Sequence, residues 1–245
     1  ATFTEVAYIL AVNNRLNESL IKTNQELDNF VYIVSHDLRS PLMLTKGLLD
    51  LSKRKIDDKN EVLKYMDLAG KSINNLDDII KEILTYSRNA RTGLQQERFD
   101  LKTIVQEIKE GLDLKECPSF TLLEEYKNPT TINADKGRLH TILRNLITNS
   151  FKYRKKEISN PSVKIIFSRS DKQFTITIED NGQGIAEESL GKVYDMFYRG
   201  TSSTSGTGLG LYICKEMLLK MGASFRLEST LGTGTRFSFT LREPG

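Results

Sequence analysis

One of the chain's two histidines, His36, lies in the run Ser35-His36-Asp37-Leu38-Arg39-Ser40-Pro41. On a helix His36, Arg39 and Ser40 stand three and four residues apart and share a face, with Asp37 beside His36. Imidazole in water titrates near neutrality, so a large fraction of it is uncharged. The neutral ring is a competent nucleophile towards phosphorus, and an adjacent carboxylate can orient it and accept its proton. A histidine alone on a polar helix face is usually just solvated. The weight of this segment therefore depends on what accompanies it.

Three further segments carry chemistry. Asn145, Asn149 and Lys152 are spaced four and three apart, which on a helix lines two amides and an ammonium along one stripe. Amide oxygens suit Mg²⁺, which favours oxygen ligands completed by water and phosphate, and Lys152 would face phosphates as a point charge. Asparagines on helices are commonly only solvated, but these two lie beside Ile142 and Leu146, at the edge of an apolar stripe. Asp180-Asn181-Gly182-Gln183-Gly184-Ile185 follows an alternating segment. Its carboxylate can accept a hydrogen bond from an exocyclic amine such as that of adenine, and its glycines let backbone approach a flat ligand. The same residues are also ordinary turn formers. Gly206-Thr207-Gly208-Leu209-Gly210-Leu211 follows a Ser/Thr/Gly-rich stretch, 200–205. Gly208 is read as opening a helix whose N–H groups and dipole face phosphate, and the preceding stretch as a loop able to close over a nucleotide. The segment lacks the preceding strand and downstream acid of a dinucleotide fold, and the lysine of a Walker-type loop. Gly232-Thr233-Gly234-Thr235 reads as a hairpin turn that can also press on a nucleotide pocket.

Periodicity identifies the elements that must hold these groups. Ile9, Asn13, Leu16, Leu20, Thr23, Leu27, Phe30 and Val34 alternate by four and three, the seam of a coiled coil in which polar Asn13 and Thr23 fix register. His36 falls two positions after Val34 and should project at the flank of that seam, towards solvent. Pro41 is expected to kink or loosen the helix. The charged run Lys53 to Asn60 reads as a turn, followed by a second helix from about Glu61 to Arg88 with Val62, Tyr65, Ala69, Leu76, Ile80 and Ile83 on one face. Two long amphipathic helices cannot bury both faces alone. A dimeric four-helix bundle is the natural solution, with packing on the rest of the same chain as the alternative.

Asn89 to Gln96 is polar, holds Gly93 and reads as the domain linker. Beyond it Asp100 can cap a helix carrying Leu101, Ile104, Val105, Ile108 and Leu112, and Asp135 another carrying Leu139, Ile142, Leu143, Leu146 and Ile147. Gly208 would start a third, with Leu211, Ile213, Cys214, Met217 and Leu218. Phe174, Ile176 and Ile178 alternate with Thr175, Thr177 and Glu179 as a half-buried strand; Phe225 with Leu227, and Phe237 with Phe239 and Leu241, repeat the pattern. Helices interleaved with largely hairpin-connected strands imply a two-layer α/β sandwich with helices on one face of the sheet.

The 245 residues, 38% hydrophobic and 27% charged, suit two modest soluble domains rather than a disordered chain. A net charge of +3 with interspersed signs gives nucleic-acid binding no electrostatic footprint. No apolar run suffices to cross a bilayer and no signal peptide is evident, so this region is expected to be cytoplasmic. A helical pattern beginning at once at Ala1 suggests a piece of something longer. Cys117 and Cys214 have no metal-ligand spacing and read as reduced bystander thiols.

Taken in order, the segments resemble the motif series of sensor histidine kinases over roughly residues 25 to 241. His36 to Pro41 is similar to the H box, Asn145 to Lys152 to the N box, Asp180 to Gly184 to the first glycine box, and Phe197-Tyr198-Arg199 to the F box. Gly206 to Gly210 and Gly232 to Gly234 are similar to the second and third glycine boxes. The resemblance implies a signalling coiled coil over 1–29, a dimerisation and histidine-phosphotransfer hairpin over 30–92 and a catalytic ATP-binding domain over 93–245. That last domain would have the fold shared with DNA gyrase and the Hsp90 chaperones. By the same resemblance His36 is the phospho-acceptor, Asp37 its acid/base neighbour, and Asn149 with Asn145 the Mg²⁺ ligands. The implied nucleotide site comprises Asn145, Asn149, Lys152, Tyr153, Asp180, Gly182, Gly184, Ile185, Phe197, Arg199, Gly206, Thr207, Gly208, Leu209, Gly210, Leu211 and Thr235, with Asp180 reading adenine. The implied activity is ATP-dependent phosphorylation of His36 and transfer to an aspartate of a response regulator, within a homodimer. The run Asn24 to Phe30 is similar to kinases that follow PAS or GAF sensor domains. Many relatives have Thr or Asn four residues after the histidine to place a water for dephosphorylating the regulator. Ser40 reaches that water with less side chain. ATPases of the same fold carry a glutamate where this chain has Asn145, and an amide cannot act as general base for water, which favours transfer to histidine over hydrolysis. Two rival readings are a nucleotide-binding scaffold without catalysis and a gyrase-type ATPase.

Overall fold

The computed structural model describes residues 3–115, 117–127, 129–200 and 207–243. They form two compact units, Ala1–Ile80 and Lys81–Gly245. The first unit holds α1 (Phe3–Arg54) and most of α2 (Lys59–Arg91), whose last turns belong to the second.

Helix α1 stays continuous through Pro41, so the expected disruption does not become a break. Pro41 is buried, and its carbonyl accepts hydrogen bonds from Thr45 Oγ1 at 2.8 Å and from Ser72 Oγ of α2 at 2.9 Å. The buried Ser72 hydroxyl is thus satisfied across the hairpin. The turn is shorter than expected, because Asp58 accepts from the amides of Asn60 and Glu61 and starts α2 at Lys59. On α2 the stripe turned inward runs through Ala69, Ser72 and Ile79, while Ile80, expected on that face, is exposed. Steps of three and four from Ser72 through Leu76 reach Ile79 and leave Ile80 on the adjoining face. Along α1, Leu16 and Leu20 are exposed and Phe30 and Val34 half-buried; the side chains of Ile9, Thr23 and Leu27 lie outside the described residues.

The second unit is a two-layer α/β structure. Strand β1 (Gln96–Asp100) pairs antiparallel with β3 (Thr131–Asp135). The main sheet contains β2 (Thr121–Tyr126), β4 (Ser162–Ser170), β5 (Gln173–Asp180), β6 (Ser224–Thr230) and β7 (Gly234–Arg242), in the order β2-β4-β5-β7-β6. Only β2–β4 is parallel. Register aligns the apolar face across the sheet: Ile178 is opposite Ile165 of β4 and Phe237 of β7, and Ile176 is opposite Phe167 and Phe239. Over that face lie α3 (Leu101–Glu110), α4 (Lys136–Lys152) and α6 (Gly210–Lys220). The one-turn α5 (Glu187–Leu190) follows β5. The expected caps form, since Asp100 accepts from Lys102 N and Asp135 from Arg138 N. The stripe Leu139, Ile142, Leu143, Ile147 of α4 is fully buried.

Helix α2 runs to Arg91, past the start of the expected linker. The reason is Arg138, whose buried guanidinium has every N–H used. Nε donates to Asn89 Oδ1 at 2.8 Å, Nη1 to Gly93 O at 3.0 Å and to Asp135 Oδ2, and Nη2 to Thr92 O at 2.7 Å and Thr92 Oγ1 at 3.0 Å. Lys220 Nζ also donates to Asn89 O and, at 3.3 Å, to Ala90 O. Two cations thus take the orphan carbonyls and the negative dipole end at the close of α2. Arg138→Met should destabilise the second unit by about 3–5 kcal/mol, because it leaves the Asp135 carboxylate buried without its partner. Denaturant unfolding of the two chains measures this, and a loss below about 1 kcal/mol would mean that the clamp is incidental.

Candidate functional site

A cavity opens in the second unit where the end of β5 meets the last turns of α4. Leu146, Asn149, Ser150 and Tyr153 line one side, and Ile178 and Asp180 form the floor. Gln183 to Ala186, Ser189, Val193, Tyr198 to Gly200, Leu211, Leu227, Leu231, Thr235 and Phe237 complete the wall. The lining is mostly apolar with a few polar groups, the composition of a site for a flat organic ligand.

Asp180 is the polar group at its floor. Oδ1 accepts from the amides of Gly182 at 2.9 Å and Thr235 at 3.2 Å, and Oδ2 from Ser150 Oγ at 3.1 Å. Ser150 Oγ is also 3.1 Å from Leu146 O and has one proton to share; a carboxylate offers about four lone-pair positions, so at least one is left for a ligand donor. Burial raises the Asp180 pKa above the ordinary carboxylate value, and the Gly182, Ser150 and Thr235 hydrogen bonds counter part of that rise. Gly184, at φ +70°, passes so close to β6 that a Cβ would lie 2.1 Å from Thr230 O. Next to it the Ile185 amide donates to Ser229 Oγ at 2.9 Å.

On α4, Asn149 reaches the cavity wall while Asn145 donates from Nδ2 to Gly210 O at 3.4 Å. Lys152 is half-buried, with its ammonium 5.3 Å from the centre of the Tyr153 ring. Burial lowers its pKa first; the negative charge of Glu82 opposes that change and Arg199 adds to it.

The second glycine segment departs from expectation at its helix start. Gly208 has φ +74°, a left-handed conformation that cannot continue a right-handed helix, so α6 begins at Gly210. A Cβ at Gly208 would lie 2.6 Å from the carbonyl carbon of Phe197, itself at φ +66°. Two backbone segments cross there, and Phe197 packs on the core rather than lining the cavity. Thr207 is buried; its hydroxyl donates to Glu82 and accepts the Leu209 amide at 3.0 Å. Gly206 and the stretch 201–205 lie outside the described residues.

Of the expected site residues, the cavity takes in Asn149, Tyr153, Asp180, Gly184, Ile185, Arg199, Leu211 and Thr235. Asn145, Lys152, Gly182, Thr207, Gly208, Leu209 and Gly210 are not among its lining residues. Ser150 and Gln183 belong to the wall unforeseen, as does the apolar set Ile178, Val193, Leu227 and Phe237. Ser150 had a signal, since it is a polar residue on the buried stripe of α4. Glu82 had none, because its partner is 125 residues away.

In the first unit His36 is well exposed, with 70% of its side chain accessible, and its Nδ1 lies 3.2 Å from Asp37 Oδ1. Ser40 is exposed four residues on. Cys117 and Cys214 are unbridged, and among the described residues no three acidic, His or Cys side chains gather as a metal site.

Gly184→Ala should destabilise the second unit by about 2–3 kcal/mol through clash and backbone strain. Gly191→Ala, where the added methyl meets open space, should stay within about 0.5 kcal/mol of the parent. Thermal unfolding of both variants checks the contrast.

Comparison with known proteins bears on the family and the fold. The family model for the His Kinase A (phospho-acceptor) domain matches residues 26–92, and that for the histidine kinase-, DNA gyrase B- and HSP90-like ATPase matches 134–245. Cyanobacterial phytochrome B of Nostoc is 31% identical over 241 residues, covering 94% of this chain and 31% of that protein. Sensor protein SrrB of Staphylococcus aureus is 27% identical, covering 96% of this chain and 41% of SrrB. The chain thus spans less than half the length of these relatives. Among solved structures, histidine kinase ThkA in complex with response regulator protein TrrA is similar with a TM-score of 0.71 and 22% identity, over 93% of this chain and 66% of that one. Histidine kinase AdeS of Acinetobacter baumannii gives 0.67 and 20%, over 86% of this chain and 98% of AdeS. At these identities the structures speak to the fold. With a phospho-acceptor domain followed by an ATPase domain of this type, the chain belongs to the sensor histidine kinases, as their catalytic region.

Proposed function

We propose that this chain transfers the γ-phosphoryl group of ATP to His36 and passes it to an aspartate on the receiver domain of a response regulator. The observation that carries this is a floor carboxylate, Asp180, with one acceptor position left for an exocyclic amine, on the same chain as an exposed imidazole paired with a carboxylate. When Nδ1–H donates to Asp37, the Nε2 lone pair is left as the nucleophile. Nε2 bonds to phosphorus as the bond to the ADP oxygen breaks, and Asp37 stabilises the positive charge that develops on the ring. The remaining catalysis is positioning and charge neutralisation.

In this reading Asp180 accepts from the adenine amine, with Ile185, Tyr153, Leu211 and Thr235 around the base. Gly182 and Gly184 bring backbone close to it, and Lys152, Arg199 and the segment Thr207 to Gly210 serve the phosphates. The two asparagines suit Mg²⁺ in the chemistry of their donors. Asn145 spends its N–H on Gly210 O and so keeps its oxygen for a cation, and Asn149 reaches the cavity. Bound Mg²⁺ would neutralise phosphate charge.

A homodimer is supported by apolar side chains that the first unit leaves exposed at seven-residue spacing, Leu44 and Leu51 on α1, and Met66, Ile73 and Ile80 on α2. The regulator partner is supported by ThkA, solved with its response regulator. A sensor domain upstream, of PAS or GAF type, accords with relatives much longer than this chain. The domain limits we assign are 1–29 for the signalling helix, 30–92 for the phosphotransfer hairpin and 93–245 for the ATP-binding domain. A cytoplasmic position for this region accords with the absence, among the described residues, of any helix long and apolar enough to cross a membrane.

Incubation with γ-labelled ATP should leave an acid-labile label on the chain. His36→Gln should abolish it, and Asp37→Asn should slow its appearance by about a hundred-fold. Absence of label with nucleotide still bound would favour a scaffold, and phosphate release indifferent to His36 would favour a gyrase-type ATPase. Asp180→Asn should weaken ATP binding by about ten- to a hundred-fold, since one amide oxygen cannot replace a carboxylate serving three internal donors and a ligand. The binding form is the ionised carboxylate and its pKa is raised. On acidification ATP affinity should therefore begin to fall at a higher pH than an ordinary aspartate would dictate, which calorimetric titration across pH measures.

A further inference from the structure

Glu82 stands on the last turns of α2, within the second unit. Its carboxylate accepts the Thr207 hydroxyl, which in turn accepts the Leu209 amide one residue before α6 begins. Lys152 feels the negative charge of Glu82 and the positive charge of Arg199, so each of these lies within electrostatic reach of Lys152. A side-chain anion therefore sits beside a hydroxyl and a helix start, with the Lys152 ammonium in reach, a setting that attracts phosphate oxygens as readily as a carboxylate.

From this placement we infer that Glu82 is an internal stand-in for phosphate, competing with the phosphate groups of a nucleotide for Thr207 and the neighbouring cations. The inference rests on the reading of the second unit as an adenine-nucleotide site. Adenosine brings no charge to this region, ADP some and ATP more. When a charged ligand arrives, the carboxylate must either withdraw from Thr207 or stay and repel it. In both cases the opposition to binding grows with phosphate number, so Glu82 limits how steeply the site favours ATP over adenosine. Because Glu82 and Lys152 are only partly buried and Arg199 is exposed, added salt should damp the effect.

The test uses the full chain and two variants that remove the charge while keeping a long side chain, Glu82→Gln and Glu82→Met. Dissociation constants for adenosine, ADP and ATP are measured by calorimetry with Mg²⁺ present. Each variant should bind adenosine as the parent does, which also reports intact folding. ADP should bind more tightly by a small factor, and ATP by roughly three- to ten-fold. An equal shift for all three ligands would make Glu82 a merely structural support, and weaker ATP binding would make it an aid to the phosphates or their metal; either result overturns the inference. A variant that loses adenosine binding is set aside for the other, and loss in both assigns Glu82 to folding and likewise overturns the inference. If the parent chain binds none of the three ligands, the nucleotide reading itself fails and the inference falls with it.

Discussion

A carboxylate drawn out of water at the end of a strand must be surrounded by donors, and this requirement at Asp180 organises the second unit. Its donors come from three places that sequence keeps far apart: Ser150 on α4, the amide of Gly182 just beyond β5, and the amide of Thr235 on β7. For all three to arrive, β7 must lie beside β5 in the observed register, with Asp180 opposite Thr235, and α4 must cross the end of the same strand. The apolar ladder Ile165–Ile178–Phe237 supplies the driving force for that arrangement, and the carboxylate sets its alignment. What is left over is acceptor capacity on a residue that lines an apolar cavity, and that combination makes the place a candidate site rather than a core.

The second organising feature is Arg138. A buried guanidinium is tolerable only when its N–H groups are all taken, and here the takers are Asp135 and the last turn of α2 with the residues after it. The nucleotide-type domain therefore carries the end of a helix whose earlier turns belong to the other unit. Tyr86 packs near Tyr212 of α6, with ring centroids 5.7 Å apart, and Glu82 bonds Thr207. The second glycine segment and α6 are thus in contact with side chains of the last turns of α2.

The chemistry assigned to the two units divides along similar physical lines. His36 needs exposure and an orienting neighbour, and a surface helix with Asp37 next in sequence supplies both without help from the fold. Nucleotide binding needs convergence: glycine backbone tight against β6, two asparagines on one helix face, and a carboxylate with a spare lone pair. An amide at position 145, spending its N–H on Gly210 O, leaves no base to activate water there, in keeping with transfer to a side chain.

These differences explain what could be read from the sequence. Caps at Asp100 and Asp135, the apolar stripes of α3 and α4, the alternation of β5 and β7, and the turn at Gly232 are local patterns whose period or side-chain chemistry suffices to specify them. The motif residues Asp180, Asn149 and Gly184 were legible through the order of their segments along the chain, since each segment by itself also has an ordinary structural reading. Other features were not legible. The start of α6 is displaced to Gly210 because Gly208 is held left-handed by a crossing with Phe197. The supposed linker is helical through Arg91 because Arg138, 49 residues after Asn89, claims it. Strand β1 and the parallel β2 have no strong alternation of their own and exist through their partners. Sequence alone therefore determined the strongly periodic elements, α1 to α4, α6 and β5 to β7, and which side chains are fit for phosphoryl chemistry, since both follow from local periodicity and functional groups. Only the tertiary structure decided where helices end, which polar groups satisfy one another, and that Glu82 meets Thr207, since each depends on contacts between residues distant along the chain.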